Sequence, residues 1–84
     1  MVDTLTRQVA LWTIEVGTAA ARLPANAART AFLAEQRRRL AAEARAQGMS
    51  EREIAILAES CIAGAERVMR ELLARGGVGE GGRT

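Results

Sequence analysis

No histidine, tyrosine or lysine occurs in this 84-residue chain, and cysteine, proline, tryptophan and phenylalanine occur once each. Without histidine, the commonest general base and the commonest metal ligand are both missing. Cys61 has no second cysteine for a disulfide and no histidine or second thiol with which to hold zinc. A disulfide scaffold and a structural zinc site are therefore excluded, no cofactor is expected, and a reducing cytoplasm fits best. Long apolar runs are also absent. Val9 to Leu23 covers only fifteen residues, with Glu15 interrupting it, whereas a bilayer span needs about 20. The same glutamate, and Asp3 where a basic start would stand, argue against a secretory signal. The expectation is a cytoplasmic protein with no membrane partner.

A chain of this length buries only about 60–65% of its unfolded surface and supports a single core, which excludes a two-domain enzyme. Apolar residues make up 49% of it, and twelve arginines stand against ten acids for a formal charge of +2. The isoelectric point near 9.9 exaggerates that balance, because arginine titrates far above neutral pH. Eighteen alanines and no lysine suggest a high-GC bacterial genome. A nucleic-acid footprint would need the arginines gathered on one face.

The pattern along the chain is helical throughout. In the first segment, about residues 4–23, Leu5, Val9, Trp12, Val16, Ala19 and Leu23 recur at steps of four and three, the spacing of a helical stripe. Asp3 or Thr4 can cap its start and Pro24 ends it. Gly17 costs about 1 kcal/mol relative to alanine inside a helix, and close packing is the reason expected for it. The second segment, about 27–47, has Asn26 as its expected cap and Gly48 where a helix C-terminus needs positive φ. It is very rich in alanine, with an inner stripe of Leu33, Leu40 and Ala44 and with Arg37 alongside.

The third segment, about 51–75, opens with Ser50 and Glu53, the spacing of a capping box. Ile54, Leu57, Cys61, Ala65, Val68 and Leu72 form one stripe, with Ile62, Met69 and Leu73 beside it. At about 100° per residue the two stripes span more than a single neighbour would cover. From Gly76 onward five of nine residues are glycine, so residues 76–84 are expected to form a disordered tail. The fold class is all-α: one three-helix domain over residues 1–75, neighbouring helices antiparallel, assembled as a helical-bundle homodimer.

Catalytic chemistry finds no carrier. Arg37, Arg38 and Arg39 fan around the helix rather than forming one phosphate-binding face. The ladders Glu35–Arg39–Glu43, Glu66–Arg70 and Arg67–Glu71–Arg75 are i, i+4 pairs of solvated faces. Cys61 lies on the inner stripe with no base beside it, which makes it a small buried hydrophobe. No enzymatic activity and no small-molecule substrate are expected.

Gly48, Met49, Ser50, Glu51, Arg52, Glu53, Ile54 and Ala55 resemble the first half of a helix-turn-helix of the kind found in LuxR-type regulators. That resemblance implies a DNA-binding alternative using residues 48–73, with Arg67 and Arg70 on phosphate. It also requires a turn near Glu59 and Ser60, where no Gly, Pro or Asn stands and the apolar stripe continues in phase.

What remains is apolar helix surface. Leu11 and Ile14 point about 100° and 160° away from Trp12, so the first helix is apolar almost all round between Val9 and Val16. Two other helices, one rich in small alanine side chains, can hardly cover it. Leu11, Trp12 and Ile14, with Ile56 on the outer side of the third helix, are the candidate interface. The expected function is that of a small bacterial regulator, inhibitor or adaptor that binds a second copy of itself and another protein. A nucleic-acid partner is not expected.

Overall fold

The computed structural model describes the backbone of residues 2–83 and the side chains of residues 7–76. Three helices follow one another, α1 (Val2–Ala21), α2 (Asn26–Ala46) and α3 (Glu51–Arg83), with no strand among the described residues. The all-α, three-helix expectation holds. The side chains of Asp3, Thr4 and Leu5, expected as cap and first stripe residue, lie outside the described ones.

The helix ends follow from local chemistry. α1 stops two residues before the expected Leu23, because the residue before Pro24 disfavours the α conformation. Leu23 N–H closes the last turn onto the Ala20 carbonyl at 3.1 Å. Asn26, expected to cap α2, does not cap it. Ala25 takes the extended cap conformation (φ −132°, ψ 148°) without a side-chain hydrogen bond, which leaves Asn26 inside the first turn. There its Oδ1 accepts from Arg29 Nη1 at 3.2 Å.

At the other end of α2, Gly48 has a φ of 92°, a left-handed conformation that glycine adopts without steric cost. Gly48 N–H donates to Arg45 O at 3.0 Å and Met49 N–H to Ala44 O at 3.1 Å, the two bonds of a Schellman ending. The capping box forms two residues later: Glu53 N–H donates to Ser50 Oγ at 3.2 Å, and Ser50 N–H to Glu53 Oε1 at 2.9 Å.

One boundary departs from the sequence reading. α3 does not end at Gly76, and the backbone of the expected disordered tail is helical to Arg83. No proline interrupts the segment, and extending an existing helix adds a hydrogen bond per residue without a new nucleation cost.

α3 packs against both other helices, most extensively against α1. Thr13 meets Gly64, and Gly17 meets Ala65 and Val68, so α1 and α3 run parallel. α2 runs antiparallel to both: its Leu40, Ala44 and Gln47 share a groove with Val9 and Trp12 of α1 and with Leu57 and Cys61 of α3. The core is small in side-chain volume. Among the described residues its large buried aliphatics are Val16, Leu33 and Ile54, joined by Cys61, Ala20, Ala44, Ala58 and Ala65. Trp12, Phe32 and Met69 pack against it from the side. The chain measures 51 × 28 × 15 Å with a radius of gyration of 14.6 Å, against about 12 Å for a compact domain of this length. Such a flat body leaves each helix a broad solvent face.

Candidate interaction surface

Among the described residues Leu11, Ile14 and Ile56 are the large hydrophobic side chains left in water, at 53%, 52% and 63% exposure. Their exposure follows from helical phase. The α1 residues that meet the rest of the bundle, Trp12, Val16, Gly17 and Ala20, centre on one side, and at about 100° per residue Leu11 and Ile14 point well away from it. Being three positions apart, those two are neighbours on the helix surface. Ile56 lies on α3 opposite the line of Ile54, Ala58, Cys61 and Ala65, all of which are buried.

Trp12, expected in the same interface, is placed differently. It is half-buried against the core formed by Val16, Ala20, Leu33 and Ala65, about 100° around α1 from Leu11. Its exposed part lines a groove of about 220 Å³ with Val9, Leu40, Met49, Leu57 and Cys61. Cys61 itself is only 1% exposed, and burial pushes its thiol up, which keeps it in the unreactive protonated form.

Arg67 and Arg70, assigned to the DNA-binding alternative, are both exposed. The turn near Glu59 and Ser60 is not there: α3 is a single helix through both. Its inner stripe stays in phase across that point, so nothing releases a separate recognition helix.

Charges concentrate on the helix faces. Arg38 and Arg39 both bind Glu35, the latter at 3.3 Å. Arg45 Nε and Nη2 donate to the two carboxylate oxygens of Glu51 at 2.7 and 2.9 Å, a two-point pairing across the α2–α3 turn. The hydrogen bond from Arg45 is the main influence on Glu51 and holds its carboxyl below the usual range. Glu51 in turn raises the Arg45 guanidinium, again chiefly through that hydrogen bond. Among the described residues no group of three His, Cys, Asp or Glu side chains is placed to hold a metal ion, and no helix is long and apolar enough to cross a membrane.

A second groove, of about 290 Å³, lies between α2 and α3. Sequence reasoning set Arg37 beside the inner stripe without seeing that Arg29, Leu33 and Arg37 recur at steps of four. That spacing stacks two cations on the α2 face turned toward α3, and it was the available signal. Set beside protein-family models, curated proteins and solved structures, the chain matches none of them.

Proposed function

We propose that the chain is a small bacterial cytoplasmic regulator or adaptor that acts by protein–protein contact, with the Leu11–Ile14 flank of α1 and Ile56 of α3 as contact surface. The observation that carries this reading is the inversion of hydrophobic use. Large aliphatic side chains stand in water while alanines occupy half of the buried core. Exposing an apolar side chain that could be buried forfeits about 1.5–3 kcal/mol, and a short chain recovers it by meeting another surface. A second copy is the nearest such surface, and another protein's helix groove is the alternative use of the same flank. The absence of histidine, and a Cys61 that is buried and protonated, favour binding over catalysis. The helix-turn-helix alternative has no turn to rest on.

Light scattering coupled to size exclusion tests the reading. The wild type is expected to elute as a dimer. Ile14→Glu is expected to be monomeric with its helicity retained, because a charge placed in the contact weakens association by about 2 kcal/mol or more. A monomeric wild type on which the substitution has no effect would remove the homodimer, and loss of helicity in the variant would assign Ile14 to the subunit core.

A further inference from the structure

The groove between α2 and α3 has an apolar floor and a cationic rim. Leu33, Ile62 and Met69 contribute to the floor, and Arg29, Arg37 and Arg70 stand around it with a single carboxylate, Glu66, among them. Among the described residues none of these three arginines takes part in an ion pair. The acids that are paired serve Arg38, Arg39 and Arg45 instead. Arg29 is also incompletely bonded: its Nη1 donates to Asn26 at 3.2 Å, while its Nε is buried without an acceptor.

A buried N–H without a partner is disfavoured by the full cost of its desolvation. Turning that guanidinium toward a carboxylate or phosphate in the groove would exchange one long bond to a neutral amide for a pair in which both partners are charged. Arg37 stands two turns along the same helix face, and Arg70 reaches in from the facing helix. The three donors thus surround one space from both walls. Guanidinium groups match the planar or tetrahedral oxygens of carboxylates and phosphates. The floor beneath them would repel a hydrated inorganic ion and favour an apolar body.

From this arrangement we infer a binding site for a small amphipathic acid, a carboxylate or phosphate head on a short apolar body, with the head between Arg29, Arg37 and Arg70 and the body on Leu33, Ile62 and Met69. The site shares no residue with the Leu11–Ile14–Ile56 surface, so neither reading depends on the other.

Titration calorimetry on the full chain with hexyl phosphate, hexanoate, inorganic phosphate and uncharged hexanol tests it. Hexyl phosphate and hexanoate are expected to bind saturably at one site, inorganic phosphate more weakly, and hexanol not measurably. Arg37→Gln and Arg70→Gln alter exposed side chains and should each raise the Kd about tenfold, with amide shifts in the wild type centred on Leu33, Ile62 and Met69. Arg52→Gln, on an exposed arginine away from the groove, should leave it unchanged. The inference is overturned if hexanol binds as well as the acids, if inorganic phosphate matches hexyl phosphate, if Arg52→Gln weakens binding as much as Arg37→Gln, or if no acid saturates.

Discussion

A methyl group added at Gly17 would stand 2.6 Å from the Ala65 carbonyl oxygen and 2.7 Å from Val68 Cβ. Neither atom can yield alone. One belongs to a helix backbone and the other to a β-branched side chain stiff at χ1, so α1 would have to withdraw from α3 along their whole contact. Gly17→Ala should therefore cost about 1–3 kcal/mol through overpacking, more than the roughly 1 kcal/mol that alanine returns in helix propensity. Gly64 makes a useful contrast. There the nearest atom is Thr13 Cγ2 at 3.0 Å, on a β-branched side chain whose hydroxyl donates to Ala10 O at 2.8 Å, so the contact is tight without the overlap met at Gly17. Gly64→Ala is expected to stay within about 1 kcal/mol of the wild type, the propensity gain offsetting a mild clash. Urea midpoints check both. Equal midpoints for the two variants would mean that the α1–α3 approach is not the constraint described.

At the scale of the helix, the α2–α3 junction is held twice, by the Gly48 turn with its capping box and by the Arg45–Glu51 pair across it. The pair is solvent-exposed, so its contribution is modest and screened by salt. Its pH dependence has a definite sign. Glu51 is held below the usual carboxylate range by its hydrogen bond from Arg45, so the stabilisation is present above the ordinary carboxylate pKa and is lost as pH falls through the depressed value. Arg45 is shifted upward, and its share is lost only in strong alkali. A carboxyl NMR titration should find Glu51 below the ordinary range in the wild type and back within it in Arg45→Gln. An unmoved Glu51 in that variant would show that the pair does not persist in solution.

The junction was the most legible part of the sequence, since Ser50, Glu53 and Gly48 are local signals whose bonds close within a few residues. The first-helix stripe was legible from its spacing, and the packing role of Gly17 from the cost of a glycine inside a helix. Asn26 misled because only the backbone decides which residue takes the extended cap conformation. The end of α3 misled because glycine counts measure propensity, whereas a helix already nucleated needs only to continue. The arginine groove was only half legible: the spacing of Arg29 and Arg37 shows its α2 wall, but Arg70 joins them only once α3 is laid against α2.

For the whole molecule, a flat body with an alanine-rich core has few large contacts of its own, so stability and association should be linked. If folded chains pair through Leu11 and Ile14 and unfolded chains do not, mass action makes the melting temperature rise with protein concentration. For two 84-residue chains, an unfolding entropy of about 2.1 cal/mol/K per residue turns each tenfold rise in concentration into about 4 °C. Circular dichroism melts over two decades of concentration should therefore move by about 8 °C in the wild type. In Ile14→Glu they should superimpose, because the variant folds without pairing. The level at which the variant melts then measures the subunit alone. A value close to that of the dilute wild type would assign the concentration-dependent part of the stability to the α1 flank. A wild-type melt that does not move with concentration would show that the exposed aliphatics are left in water by the isolated chain and that their cover comes from a different protein.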